Sequence, residues 1–271
     1  MSRPKAIAIA AHPDDIELKM AGTLLRLKEK GWDIHYCNLA TGQGGSLEYD
    51  AEKTASVRRS EAQKAAEILG ATWHPPITDD FGIFYNRKQL REVAALIREV
   101  RPSIVLTHPG EDYMEDHINA GRLTVSAVFA RGIPNFETDP PRPAYFDDVT
   151  VYHCMPHGGR NRIRQRVMPG AWVDTTDVHA TVREALAAHK SQRSWLDSSQ
   201  GMDDYLVSMD DHAEAMGGLS GKFFKAEGWW RHLHLGFSAS DSDPLAEALG
   251  DRYWVNQEYE ERIERPAPPA T

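Results

Sequence analysis

Residues 6–17 read Ala6-Ile-Ala-Ile-Ala-Ala-His-Pro-Asp-Asp-Ile-Glu17, and this stretch decides the fold. The apolar run predicts a short buried strand, and the polar residues after it predict a turn into a helix. In open α/β sheets, ligands bind in the crevice outside the carboxyl ends of the strands. The stretch therefore places one imidazole and three carboxylates where a ligand is expected. Four ionisable groups beside a core strand are costly unless a partner such as a metal ion compensates them.

Strand and helix patterns alternate up to about residue 131, and one further strand and one further helix follow. Strands are predicted over 6–11, 33–39, 104–107 and 149–154, and helices over 18–30, 54–69, 89–100, 118–131 and 178–189. This alternation predicts an α/β fold with a mostly parallel sheet. We expect a single domain over residues 1–271, with a core at about 5–195 and a C-terminal extension, 196–271, that covers the site. Within it, the polar segment 197–222 is expected to form a lid or a partner surface.

The composition limits the class of partner. The chain has 271 residues, of which 41% are hydrophobic, and 31 Lys+Arg against 40 Asp+Glu give a net charge of −9. This balance argues against a nucleic acid as partner but leaves room for a small anionic substrate. No apolar run approaches the ~18 residues of a membrane span, and the first residues lack the apolar region of a signal peptide. Cys37 and Cys154 lie far apart, so we expect no disulfide and a cytoplasmic location. The sequence leaves open whether the chain forms a homo-oligomer.

A second polar cluster, His108-Pro-Gly-Glu-Asp-Tyr-Met-Glu-Asp-His117, follows the strand predicted over 104–107. If the two strands are neighbours, both clusters open onto one crevice. Two imidazoles and a carboxylate would satisfy zinc with a position left for water, and a spare carboxylate could take the proton of that water. The alternative is that Asp14 and Asp15 only cap a helix. The preceding His-Pro, the buried strand and the second cluster favour the metal site.

These two clusters, followed by Ala188-His-Lys-Ser-Gln192, resemble the PIG-L/LmbE family of zinc-dependent N-acetylglucosaminyl deacetylases over roughly residues 5–195. The resemblance implies a Rossmann-like sheet with helices on both faces. It also implies hydrolysis of an N-acetyl group, usually on an N-acetylglucosamine-type sugar conjugate. The implied cofactor is Zn²⁺, with Fe²⁺ or another divalent metal as the alternative.

The resemblance further implies roles for individual residues. It makes His12, Asp15 and His117 the metal ligands, Asp14 the general base, and Asp116 a catalytic residue that supports the base side of the site. Arg58 matches an arginine that contacts substrate in relatives. We place Tyr113, Met114 and His108 beside the substrate with it.

Met114 departs from the family pattern. Many relatives carry a histidine at this position, three residues before the last ligand, where it stabilises the tetrahedral intermediate. A thioether cannot donate a hydrogen bond, and loss of one oxyanion donor typically costs ~2.7–4 kcal/mol. Either another donor replaces it, or the metal suffices as Lewis acid, or the reaction differs from amide hydrolysis. The replacement donors to consider are Tyr113, His108, His153 and His157.

Two other functions therefore stay open. One is lyase or hydratase chemistry on a small carboxylated substrate, with the same fold and metal. The other is a non-catalytic binding module, against which the intact ligand set argues. The segment 223–234, rich in aromatics and histidines, is either core and interface or a wall on which a sugar stacks.

Overall fold

The computed structural model describes residues 3–192 and 205–265 of the chain. The strands are β1 (Lys5–Ala10), β2 (Asp33–Asn38), β3 (Thr72–His74), β4 (Ile104–Thr107), β5 (Thr150–Cys154), β6 (Ala171–Asp174), β7 (Ala226–Arg231) and β8 (Tyr253–Val255). The helices are α1 (Asp15–Lys19), α2 (Ala21–Glu29), α3 (Ala51–Leu69), α4 (Arg87–Val100), α5 (Glu115–Ala130), α6 (His179–Ala187), α7 (Tyr205–Ser220), α8 (Pro244–Leu249) and α9 (Gln257–Ile263).

The eight strands form one mixed sheet in the order β3-β2-β1-β4-β5-β7-β6-β8. The first five strands pair in parallel, whereas β7 runs antiparallel to both β5 and β6, and β8 antiparallel to β6. The predicted α/β fold with a mostly parallel sheet is confirmed. The strand order reverses between β1 and β4, which is the switch point where such sheets bind ligands.

Strand β1 is buried on both faces because helices cover both sides of the sheet. Ile7 and Ile9 pack with residues of α4 and α5, and the alternating Ala6, Ala8 and Ala10 pack with residues of α2, α3 and α6. Side chains alternate between faces with period two, so a continuous apolar run is what a doubly covered strand requires. This arrangement places the carboxyl end of β1, and the polar residues that follow it, at the middle of the sheet edge.

The helix predicted over 18–30 is two helices, α1 and α2, with a break at Met20 (φ −138°, ψ −22°). The carboxylate of Glu227, on β7, accepts hydrogen bonds from the backbone amides of Gly22 and Thr23 at 2.7 and 2.8 Å. These are amides that the start of a helix leaves without intrahelical partners. Glu227 lies about 200 positions away in sequence, so no local pattern indicates the break.

The C-terminal residues contribute to the sheet in addition to covering the site. Strand β7 lies between β5 and β6, and α7 packs against β7 and β6 with Tyr205, Met209 and Met216 buried. The lid or partner surface expected over 197–222 is therefore a packed helix from 205 to 220, while 197–204 lie outside the described residues.

The middle of the aromatic segment 223–234, residues 226–229, is buried in the core, whereas Phe224 and Leu233 are each 64% exposed. Trp229 is buried and its Nε1 donates to Thr23 Oγ1 at 3.0 Å, while Trp230 Nε1 donates to the Met168 carbonyl at 2.8 Å. No residue of 223–234 lies on the wall of the cavity described below, so the sugar-stacking alternative receives no support. Within the described ranges, no helix has both the length and the apolar composition needed to cross a membrane.

Candidate metal and catalytic site

Two loops meet at the switch point and bring two imidazoles to one carboxylate. Asp15 is the first residue of α1, directly after the turn that ends β1. Its Oδ2 lies 3.5 Å from Nδ1 of His12, and its Oδ1 lies 3.3 Å from Nε2 of His117, in the first turn of α5. One ligand atom from each of the three residues lies within 4.8 Å of the others, and all three are buried. The structure thus brings together the three residues predicted as metal ligands.

Each imidazole is oriented by a second carboxylate. His12 Nε2 lies 3.1 Å from Asp116 Oδ2, and His117 Nδ1 lies 2.9 Å from Asp112 Oδ1. If these carboxylates are ionised they only accept, so the facing ring nitrogens donate. In the neutral ring the opposite nitrogen then offers a lone pair on the Asp15 side, where a proton or a metal ion can bind. Metal-binding histidines usually give their second N–H to a carboxylate in this way. The donor set therefore fits a divalent metal ion.

The charges around His12 and Asp15 attract a cation to this position. Burial lowers the pKa of His12, but the hydrogen bonds to Asp116 and Asp15 outweigh it and raise the pKa to about 10. Burial raises the pKa of Asp15, but the imidazoles of His117 and His108 outweigh it and hold that pKa well below the usual range. Without a metal, the site holds a proton on His12; a metal ion binding there would displace it.

Asp14 adjoins the three ligands and adopts a strained backbone conformation. Its φ of 109° with ψ of −25° is uncommon for a residue other than glycine and costs ~1–3 kcal/mol. Its Oδ2 lies 3.3 Å from Nη2 of Arg58, and the residue is 6% exposed. Burial raises the pKa of Asp14, and the Arg58 guanidinium offsets part of that rise. Such strain is typical of side chains held in a functional orientation.

Arg58 fastens the turn that carries Asp14. Its Nη2 donates to the Pro13 carbonyl at 2.5 Å and its Nη1 to the Gly42 carbonyl at 3.1 Å. The guanidinium is buried but reaches the cavity. It therefore positions Asp14 at the same time as it forms part of the cavity wall.

These residues surround a cavity of ≈ 210 Å³. The loop 41–46 supplies Gly44 and Gly45, and Asp80 holds this loop by accepting the amides of Gly42 and Gly44 at 2.7 and 2.8 Å. The remaining wall residues are His12, Asp14, Asp15, Leu18, Lys19, Arg58, Phe81, Tyr113, Met114, His117, His157, Gln192, Tyr205 and Ser208.

Of the residues predicted to contact substrate, Arg58, Tyr113 and Met114 line this cavity, and His108 does not. His108 is 0% exposed, stacks on His117 with ring centroids 4.2 Å apart, and accepts the Ala11 amide at Nε2 (3.1 Å). In this structure His108 packs against the ring of His117 and has no contact with the cavity. Direct contact with substrate would require it to leave that position.

Of the other residues proposed as oxyanion donors, some line the cavity and one does not. His153 lies away from the cavity and donates from Nδ1 to the His108 carbonyl at 2.8 Å. His157 and Tyr113 line the wall. Burial lowers the pKa of His157, so its ring is neutral and has one N–H. Tyr113 is 57% exposed, but partial burial and the nearby carboxylate of Asp15 raise its pKa to about 12, so its phenol keeps its proton and can donate.

Sequence reasoning assigned no role to Lys19, Asp80, Tyr205 or Asp112. Lys19 lies four residues after Asp15. In a helix this i, i+4 spacing puts both residues on one face, so the spacing alone could have placed Lys19 near the candidate ligands. Asp80 and Tyr205 come from segments without a pattern that places them. Asp112 was part of the second cluster, but its contact with His117 depends on the path of the loop before α5.

Asp112 gives a first testable prediction. Asp112→Asn should weaken zinc binding by about 10–100-fold, because the amide no longer provides a negative charge for the His117 N–H. Equilibrium competition with a chromogenic chelator measures the change. Asp79→Asn is the matched control, since among the described residues its exposed carboxylate accepts only the Thr41 hydroxyl, at 3.0 Å. Equal zinc affinity in the wild type and Asp112→Asn would remove Asp112 from the site.

Comparison with known proteins points to one family. The family model PIG-L, described as GlcNAc-PI de-N-acetylase, matches residues 7–128. Diacetylchitobiose deacetylase of Thermococcus kodakarensis is 31% identical over 199 residues, which are 69% of this chain and 70% of that protein. The 4-oxalmesaconate hydratase of Pseudomonas putida is 31% identical over 160 residues, 56% of this chain and 61% of that protein.

The fold is shared with a solved relative. The crystal structure of 4-carboxy-2-hydroxymuconate hydratase from Pseudomonas putida superposes with a TM-score of 0.72 at 21% identity, covering 89% of this chain and 99% of that one. At this identity the likeness shows the fold alone. The match of the family model spans the candidate metal ligands, and the first relative covers more than two thirds of both chains. The chain therefore belongs to the PIG-L (GlcNAc-PI de-N-acetylase) family.

Proposed function

We propose that this protein is a zinc-dependent hydrolase that removes the N-acetyl group from an N-acetylglucosamine-type sugar or a related small amide. The observation that supports it most is the position of Asp14. A buried carboxylate with a raised pKa adjoins a His-Asp-His donor set on the wall of one small cavity. This is the arrangement that metal-assisted amide hydrolysis needs, with a metal site and a separate base.

His12, Asp15 and His117 would hold the metal. We propose Zn²⁺, with Fe²⁺ or another divalent metal as the alternative, because two imidazoles and one carboxylate suit zinc and leave a position open. When bound, the ion would polarise the amide carbonyl and lower the pKa of a water molecule toward ~7. Asp116 acts through His12, whose Nε2 it holds at 3.1 Å.

Asp14 would accept the proton of the attacking water and later return it to the leaving amine. Its raised pKa makes it a stronger base than an exposed aspartate, and Arg58 keeps its carboxylate directed into the cavity. Tyr113 and His157 are the wall residues that could donate to the developing oxyanion where Met114 cannot. Arg58 contacts the substrate only with the surface that its bonds to Pro13 and Gly42 leave free.

The substrate class rests on two observations. The similar protein of Thermococcus kodakarensis is a deacetylase of diacetylchitobiose, and other relatives act on a 2-acetamido sugar linked to inositol. The cavity of ≈ 210 Å³ is smaller than the ~300–1,000 Å³ typical of drug-sized ligands, so it suits the reacting end of a sugar conjugate.

Acetate release tests this proposal. Purified protein loaded with zinc should release acetate and a free amine from N-acetylglucosamine or N,N'-diacetylchitobiose, and protein stripped with a chelator should not. Coupled detection of acetate and fluorescent labelling of the amine measure the two products. Absence of turnover on a panel of acetylated sugars and small acetamides would contradict the proposal.

A hydratase is the second candidate, and the 31% identity to 4-oxalmesaconate hydratase favours it together with Met114. Addition of water to an alkene needs no donor for a tetrahedral oxyanion at that position. Incubation with an unsaturated dicarboxylate separates the two functions, since a hydratase removes the conjugated absorbance and releases no acetate.

A further inference from the structure

The side chain of Lys19 is a buried cation on the wall of the cavity. The residue lies at the end of α1 and is 3% exposed. Its ammonium makes no hydrogen bond or ion pair within 4.0 Å to any residue of 3–192 or 205–265. Burial lowers the pKa of Lys19, but Cys154 and the nearby carboxylates of Asp15 and Asp112 together outweigh it, so the net pKa is raised and the amine is charged.

The other charged groups of the wall all have partners. Asp14 faces Arg58 at 3.3 Å, and Asp80 accepts two backbone amides. Asp15 lies between the imidazoles of the metal site. Lys19 is thus the charged wall residue, within the described part of the chain, that has no direct partner. A buried charge without a partner is costly, and the cost is removed when a ligand brings the opposite charge.

We propose that Lys19 binds a carboxylate of the substrate, so that the cavity takes a small acetamide that is also an acid, such as an N-acetylated sugar acid or an N-acetyl amino acid. This inference rests on the proposed function, because it names the substrate class of the same cavity. Lys19 and Asp15 share one face of α1, so the carboxylate would bind on the metal side of the cavity.

A carboxylate fits better than a phosphate group. One ammonium is a single point charge, which matches the single charge of a carboxylate. Phosphate groups usually gather several donors, including bidentate arginines. The guanidinium of Arg58 already donates to Pro13, Gly42 and Asp14, so it is not available for a bidentate contact with a phosphate group.

A matched pair of acetamides tests the proposal without turnover. N-acetylglycine and N-acetylglycinamide differ only by a carboxylate in place of a carboxamide. Titration calorimetry on the zinc-loaded wild type should show binding of the acid about tenfold tighter or more than binding of the amide. Lys19→Met should abolish this preference, Lys19→Gln should do the same, and Lys19→Arg should retain part of it.

The control variant distinguishes loss of the Lys19 charge in the cavity from loss of a positive charge elsewhere on the protein. Lys88→Met removes the same charge from an exposed side chain on α4 and should keep the full preference. Zinc content and thermal unfolding check that each variant is folded and loaded, and Lys19→Gln serves if Lys19→Met does not fold. Equal affinity for the two probes in the wild type would overturn the proposal. So would a preference that persists in both neutral variants, or no binding of the acid in the millimolar range.

The failure of this inference and of the proposed hydrolase are distinguishable. A wild type that prefers N-acetylglycine but releases acetate from no amide supports Lys19 as the carboxylate site and contradicts the hydrolase. Hydrolysis of neutral acetylated sugars without any preference for the acid supports the hydrolase and contradicts the role of Lys19.

Discussion

If the protein is the proposed zinc hydrolase, we expect Asp14→Asn to lower kcat by about 10²–10⁴-fold while zinc content stays at the wild-type level. The size of the loss is that expected for removal of a general base. An amide cannot take up the proton of the attacking water, but its oxygen still accepts from Arg58 Nη2, which lies 3.3 Å away. Asparagine also tolerates a positive φ better than most residues, so the turn with φ 109° is retained. Steady-state kinetics with the best substrate, and metal analysis of the same preparation, measure the two quantities.

The pH profile provides the control for this experiment. A base works only when deprotonated, so wild-type kcat rises with pH through the pKa of Asp14. Burial raises that pKa and a bound metal ion would lower it, so the position of the acid limb reports the balance of the two. The residual activity of Asp14→Asn should lack this limb. A variant that keeps the wild-type kcat, or the same acid limb, would show that another group takes the proton.

Much of the fold and of the site follows from local sequence. The apolar run of β1 predicted a strand covered on both faces, and two polar clusters at strand ends predicted a shared crevice. Both predictions depend on residues close together in sequence, where periodicity and turn chemistry are informative. The sheet order, with β4 beside β1, then brings His12 and His117 together, although they lie 105 positions apart.

What the sequence missed depends on contacts made after folding. The break at Met20 follows from the carboxylate of Glu227, which the sheet brings to the start of α2. His108 turns inward because the Ala11 amide offers its Nε2 a hydrogen bond at the end of β1. A histidine in a polar cluster indicates a site, but its direction depends on the partner that the folded chain supplies. The predicted starts of α3 and α4 lie two or three residues late for a local reason instead, because the side chains of Asp50 and Asn86 cap these helices.

His12→Ala removes one of three ligands and should reduce bound zinc from about one per chain to near zero after dialysis. The remaining carboxylate and imidazole, Asp15 and His117, supply two of the three protein ligands that a catalytic zinc site usually has. The loss should also appear in stability, because a ligand that binds only the folded state stabilises it by ~2.7 kcal/mol at 100 times its Kd. Added zinc should therefore raise the Tm of the wild type and leave that of His12→Ala unchanged.

His157→Ala is the matched control for this loss. It removes an imidazole from the wall of the same cavity, yet His157 is not one of the candidate ligands His12, Asp15 and His117. It should keep both the bound zinc and the shift in Tm. The contrast distinguishes a metal ligand from a general effect of deleting a histidine near the site. If His12→Ala retained stoichiometric zinc, or His157→Ala lost it, the assignment of His12, Asp15 and His117 as the metal site would be wrong, and the hydrolase proposed for this cavity would lose its basis.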